Sequence, residues 1–213
     1  MGEFIFDCLD GRPEPYAAMP TLSFRLRIAE TTGLAVQSIA LRCQIRIQPQ
    51  RRHYSAAQQE RLSDLFGEPS RWGETLKPFQ FATVPVMVPA FRGSTDVDVP
   101  VPCSYDLEVA AGQYFHALGD GEIPLLMLFS GTVFAKAGDG GLAVEQVPWH
   151  KEATYRLPAR AWRDLMDMYF PNSAWLRLRR DTVDAIGRFK SRHALPTWDD
   201  TLSALLERTG EQP

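Results

Sequence analysis

A chain of 213 residues, 45% hydrophobic and 23% charged, can bury a real core and lacks the composition of a disordered segment. Its formal net charge of -3 argues against bulk attraction to polyanions, so any basic surface must be local. The three cysteines, Cys8, Cys43 and Cys103, form no CxxC pair and no Cys/His cluster, and no run approaches the ~20 apolar residues of a membrane span.

Residues 1–20, with "MGEFIFDCLDGRPEPY" at their head, lack a basic stretch followed by a long apolar one and read as an N-terminal arm, not a secretory signal. In "TLSFRLRIA" Leu22, Phe24, Leu26 and Ile28 alternate with Ser23, Arg25 and Arg27. In "SIALRCQIRIQ" Ile39, Leu41, Cys43, Ile45 and Ile47 alternate with Arg42, Gln44, Arg46 and Gln48. Alternation with period two predicts two half-buried strands joined by a turn at "ETTG". "SAAQQERLSDLFG" predicts a short helix capped by Ser55 and ended by Gly67, with Leu62, Leu65 and Phe66 on its apolar side.

Strands resume at "FATVPVMVPAF" and "TDVDVPVPCSYDLEV", with Gly93 at the turn between them. Prolines 85, 89, 100 and 102 cannot donate ladder hydrogen bonds and place these strands at sheet edges or at bulges. "IPLLMLFSGTVFAK" is apolar nearly throughout, the pattern of a strand covered on both faces. "AGDGG" turns the chain into a returning strand, "LAVEQVPWHKEATYRL". After Pro158 the period becomes helical. Trp162, Leu165, Met166 and Tyr169 mark one helix, Val183, Ile186 and Phe189 a second, and Leu202, Leu205 and Leu206 a third that opens on a Thr197/Asp200 capping pair. Trp175 to Leu178 is expected to run extended between the first two.

Two basic features ask for an explanation. "FPNSAWLRLRRDTVDAIGRFKSRH" is rich in arginine and lysine, but Asp181 and Asp184 interrupt the cations. Arg180, Asp184 and Arg188 are spaced for i,i+4 pairing, and the charges near His193 suit a helix C-terminus. This is a solvated helix back, not a nucleic-acid or membrane-binding helix. Arg25, Arg27, Arg42 and Arg46 are different. All four are outward residues of adjacent strands, and if those strands pair they share one face. Like charges side by side need a partner, so these four are the candidate partner-binding residues.

Other chemistry is sparse. Asp96 with Asp98, and Asp106 with Glu108, read as solubilising outward pairs; a calcium cage needs six or more oxygens and a glycine-bearing loop. Asp120-Gly121 and Asp139-Gly140 read as hairpin turns. His53, His116, His150 and His193 are scattered, and Ser130 in "FSGTVF" lacks the glycine spacing of a nucleophile elbow. His150, beside Trp149, Lys151 and Glu152, is the best histidine for catalysis and reads better as a surface residue. The expectation is therefore no catalytic residue, no cofactor and no metal site.

"GEIPLLMLFSGTVF", "VPWHKEATYRLP" and "MDMYFPNSAWLRLRRDT" carry a resemblance to an uncharacterised bacterial protein family whose genes lie beside those of uptake nickel-iron hydrogenases. The likeness runs from the "PTLSFRL" region to "LPTWDDTLSALL". It transfers no catalytic residue, and it implies a cytoplasmic accessory or maturation protein acting on hydrogenase subunits. The order of elements, a sheet followed by helices, is also similar to that of the SecB export chaperones, as a fold-level analogy without a shared motif.

The sequence thus predicts an α+β protein: an antiparallel β-sandwich or sheet core with a C-terminal helical segment packed on it. Its parts are an arm at 1–20, a β domain with one inserted short helix at 21–157 and a helical segment at 158–213. The expected role is binding of another protein, with a hydrogenase subunit as candidate partner, and neither nucleic acid nor membrane. The alternatives are an enzyme whose site the sequence does not display and a nucleic-acid module using the arginine face.

Overall fold

Alternation does produce strands in the computed structural model, which describes residues 2–103, 111–136, 141–171 and 178–210. Strands β1 (Phe4–Pro13), β2 (Thr21–Glu30) and β5 (Ser94–Pro102) form one antiparallel sheet in the order β1-β2-β5. The second is built from β3 (Val36–Ile47), β4 (Phe79–Val88) and β6 (Glu122–Lys136), with β3 central between β4 and β6. Two short strands, β7 (Leu142–Gln146) and β8 (Glu152–Pro158), pair with successive stretches of β6. The sheets face each other, and β1 lies beside β8 while β4 lies beside β5, so the sandwich closes at both margins.

The inward residues are those the alternation marks. Leu22, Phe24, Leu26 and Ile28 of β2, and Ile39, Leu41, Cys43, Ile45 and Ile47 of β3, are all buried. Phe6 stacks on Phe129 across the two sheets with ring centroids 4.4 Å apart. Proline placement also follows the expectation, because β4 and β5, which carry Pro85, Pro100 and Pro102, are both edge strands.

Pairing departs from the expectation in one decisive way. β2 and β3 do not pair with each other. The turn between them is an arch that carries the chain from one sheet to the other, and the turn at Gly93 does the same between β4 and β5. Buried Glu30 fixes the first arch: its carboxylate accepts from the backbone N–H of Thr32 at 2.9 Å and of Leu34 at 2.7 Å. Residues 4–13, read as part of an arm, are a full strand of the first sheet. A bulge between Cys8 and Asp10 breaks the alternation there, which hides the strand from a period-two reading.

The helical insertion between β3 and β4 comprises α1 (Ala56–Arg61), α2 (Ser63–Phe66) and α3 (Trp72–Thr75). Ser55 caps α1 through a full capping box with Gln58, and the helix breaks at Leu62 before Gly67 ends the pair at φ 74°. α4 (Gln113–Leu118), which no periodicity announced, brings Tyr114 into a ring cluster with Phe66 and Phe79. The Tyr54 hydroxyl donates to the Pro49 carbonyl at 2.7 Å, so the Tyr114 hydroxyl, 2.8 Å away, donates to Tyr54.

Contacts divide the chain into two units, Met1–Asn172 and Ser173–Pro213. The division falls after α5 (Ala159–Tyr169), the first of the three predicted helices. α5 therefore belongs with the sheets, and its Trp162 and Leu165 are part of their core. The second unit holds α6 (Arg180–Arg192) and α7 (Trp198–Thr209), the latter capped by Thr197 and Asp200 as expected. Phe189 stacks with His193 at 4.1 Å and lies under the Arg208 guanidinium at 4.8 Å. The i,i+4 pairs expected of Arg180, Asp184 and Arg188 do not close. On this stretch Arg179 instead reaches Asp181 at 3.9 Å, between two exposed side chains. Trp175, the Asp106/Glu108 pair and Asp139-Gly140 lie outside the described residues.

Candidate functional site

The arch between β2 and β3 splits the four candidate arginines. With Leu22 to Ile28 and Ile39 to Ile47 turned inward toward each other, Arg25 and Arg27 lie on the outer face of the first sheet and Arg42 and Arg46 on the outer face of the second. No shared arginine face exists.

On the first sheet each arginine already has its partner. Register sets Arg27 between Asp7 and Asp96, and Arg25 between Asp10 and Asp98. Arg27 donates to Asp96 through both Nε, at 2.8 Å, and Nη2, at 3.1 Å, while Arg25 Nε lies 3.5 Å from Asp98. Arg12 extends the array to Asp10 at 2.9 Å and Asp98 at 3.9 Å. The hydrogen bond from Arg27 holds the Asp96 carboxyl below its usual range, and the same bond raises the guanidinium. Asp96 and Asp98, read from sequence as solubilising residues, are thus the counter-charges of Arg25 and Arg27. Opposite charges across an antiparallel pair stabilise the sheet.

The second sheet differs. Arg42 lies between Pro85 of β4 and Ser130 of β6, and Arg46 between Gln80 and Leu126. Among the described residues neither arginine reaches a carboxylate; Arg46 donates only to the Pro78 carbonyl, at 3.5 Å, and Arg42 is exposed. Around them the face is largely uncharged. Leu126, Leu128 and Phe134 of β6 point outward and are only half-buried. Met87 on β4 is 68% exposed, and Leu142 and Val144 on β7 are 65% and 57% exposed. β6 is therefore not covered on both faces, as its apolar sequence led one to expect.

At the margin of this face the returning strand is interrupted. Val147 donates to the Gly131 carbonyl at 2.9 Å, and the Phe129 amide donates to the Lys151 carbonyl at 3.0 Å. Pro148, Trp149 and His150 therefore face the single residue Ser130, a bulge closed by a bond from the Lys151 amide to the Pro148 carbonyl at 3.1 Å. Trp149 is 90% exposed and meets the His150 ring edge-on at 5.8 Å. Opposite the bulge, Gly131 has φ 152°; a Cβ there would overlap the Ala40 carbonyl oxygen and lie 3.0 Å from Leu41 Cα. The only sequence signal for the bulge is Pro148 within an otherwise strand-like run.

The remaining candidates do not converge. His53, His116, His150 and His193 are exposed, and among the described residues none bonds a carboxylate or a serine. No three His, Cys, Asp or Glu side chains of the described residues are grouped to hold a metal ion. Burial pushes the Cys8 and Cys43 thiols up to about 12, which removes their nucleophilic form near neutrality. No helix among the described residues is long and apolar enough to cross a membrane.

Fold and face together define an antiparallel β-sandwich with one charge-paired outer surface and one apolar, arginine-bearing one. The chain belongs to a family of unknown function, DUF6084, whose match runs over residues 1–213. No curated protein matches it. Among solved structures, a β-glucosidase from Kluyveromyces marxianus is similar at 12% identity over 73% of this chain and 15% of its own, with a TM-score of 0.28. β-Glucosidase 3B from Thermotoga neapolitana is similar at 12% identity over 73% of this chain and 17% of its own, with a TM-score of 0.26. The chain spans less than a fifth of the length of either enzyme, and similarity of that size carries neither fold nor activity to it.

Proposed function

We propose that this protein is a protein-binding accessory or chaperone-like factor, and that an acidic partner protein engages it through Arg42 and Arg46. The observation that supports this reading is the contrast between the two outer faces. Arg25 and Arg27 meet aspartates of their own sheet, whereas among the described residues Arg42 and Arg46 meet none and stand beside half-buried leucines. Arginine in a largely uncharged, partly apolar field is the composition of an interface centre. Nucleic acid fits this face less well, because two guanidinium groups neutralise few phosphates and the surrounding apolar side chains neutralise none. A hydrogenase subunit is the first partner to test, since the sequence resembles a family encoded beside uptake hydrogenase genes. Three cysteines that are scattered in sequence and form no disulfide framework suit a role in the reducing cytoplasm.

The test is affinity capture from the native host with the wild-type chain and with Arg42→Glu/Arg46→Glu, followed by mass spectrometry and a titration of the purified partner. Both positions are outward, so the double variant keeps its fold, and each reversed charge within the interface costs about 1–3 kcal/mol of binding. Tight, steeply salt-dependent DNA or RNA binding that the same substitutions abolish would show that the partner is a nucleic acid.

A further inference from the structure

β6 carries leucines on its outer side, where the solvated face of an antiparallel sheet normally presents polar residues, so this face has the composition of a docking site. Leu126 and Leu128 form the floor of such a site. Arg46 and Arg42 border it on the β3 side, about 13 Å apart along the strand. Thr154 and Glu152 border it on the β8 side. The bulge bearing Trp149 stands at the far end of the row that runs from Arg42 through Ser130, roughly 10 Å from β3 by two inter-strand spacings.

Resting on the protein-binding reading above, we infer that the outer face of β3 and β6 takes an amphipathic helix of the partner, acidic along one flank, with Trp149 as its anchoring contact. Charge fixes the chemistry of the helix. Its flank over β3 meets Arg42 and Arg46, which reach no carboxylate among the described residues, while on the β8 side Glu152 and the Arg156–Glu122 pair, 3.7 Å apart, leave an excess of negative charge, so acidity on the β3 flank is favoured. A separation of ~13 Å falls between the ~10.5 Å of residues seven apart and the ~16.5 Å of residues eleven apart, the helical spacings that return carboxylates to one flank, and the long arginine side chains span the difference of about 3 Å. The tryptophan has no packing role that explains it: it is 90% exposed on a bulge whose ends are hydrogen-bonded to β6. A large aromatic side chain held by a rigid turn is the residue type that dominates interface energetics.

The test uses the full chain and two labelled synthetic peptides of about 20 residues, long enough for a five-turn helix. Both carry leucine on one face; one has glutamate along a flank and the other lysine. Anisotropy at physiological salt should show the glutamate peptide binding at least ~10-fold more tightly than the lysine peptide. Trp149→Ala should weaken it by a further ~10-fold or more, with the thermal midpoint unchanged because the side chain is exposed. If Arg42→Glu/Arg46→Glu abolishes binding and Trp149→Ala leaves it intact, the anchor falls and the acidic-partner reading stands. Equal binding of both peptides, or none up to about 1 mM, overturns the helix and its charge. Binding of a scrambled, non-amphipathic glutamate peptide with the same affinity overturns the helix alone. A Trp149-dependent dimer, or Trp149-dependent binding to vesicles of anionic phospholipid, assigns the face to a second copy or to a lipid surface and overturns the proposal.

Discussion

Replacing Gly131 with alanine tests the geometry on which the bulge depends. Two costs add. At φ 152° an L-residue is strained, which costs about 1–3 kcal/mol, and the new methyl overlaps the Ala40 carbonyl of the central strand β3, which costs about 1–3 kcal/mol more. β3 is held on both sides by ladders to β4 and β6 and cannot move away cheaply. The expected loss is therefore about 2–6 kcal/mol, or a fall in thermal midpoint of roughly 5–20 °C at the ~2–4 °C per kcal/mol of a chain this size. Urea unfolding followed by tryptophan fluorescence reads it, with Gly33→Ala as the control. Gly33 also has a positive φ, 84°, but a Cβ there meets no atom within 4 Å, so only the conformational cost applies. If Gly131→Ala costs no more than Gly33→Ala, β3 and β6 do not approach as described, and the placement of Trp149 beside the Arg42 row loses its support.

The charge rows on the first sheet predict an asymmetry between arginines. Arg27→Glu should lower the thermal midpoint and Arg27→Glu/Asp96→Arg should restore part of the loss at low salt, whereas Arg42→Glu should leave the midpoint unchanged; equal effects of the two single reversals would remove the contrast between the faces. Glu30 predicts a pH dependence. Burial raises its carboxyl, but hydrogen bonds from Thr32 and Leu34 outweigh burial and set it below the usual range. The stabilisation is then fully present above the unfolded carboxyl value of ~4.3 and fades as pH falls through the lower folded value. Glu30→Gln should destabilise the protein at pH 7 and flatten the acid limb of its stability profile; an unchanged acid limb would show that the arch does not rest on the carboxylate.

The strands β2 and β3 were legible because one side of each is buried, and burial of one side imposes period two on the residues. Proline told equally well which strands are edges. Which strands pair was not legible. Alternation states that a residue faces inward but not which sheet it belongs to, and so the arginines of β2 and β3 looked like neighbours when they lie on opposite outer surfaces. Bulges account for two further misses. One extra residue near Leu9 disguised β1, and the bulge at Pro148–His150 left an apparently continuous strand that is two. The short helix α4 has too few turns for a period to show, and its buried rings are what hold it in place. In β6 the apolar composition was read correctly and its meaning was not: Leu126 and Leu128 face outward and are half-buried, not enclosed between two layers.

The arches between sheets also set the order in which the protein can be assembled as it is synthesised. β1 and β2 emerge first and can form a hairpin, but its third strand, β5, follows only after β3, the helical insertion and β4 have been made. Until then the aspartates at 96 and 98 are missing, Arg25 and Arg27 lack those counter-charges, and the buried side of the hairpin faces a second sheet that still lacks β6. The second sheet waits in the same way, since β3 and β4 receive β6 only after the chain has crossed to β5 and back. Neither sheet can be completed before the other has begun. Such a topology folds late, through contacts distant in sequence, and it exposes unpaired edges and charged rows to the ribosome and to chaperones for most of the time of its synthesis.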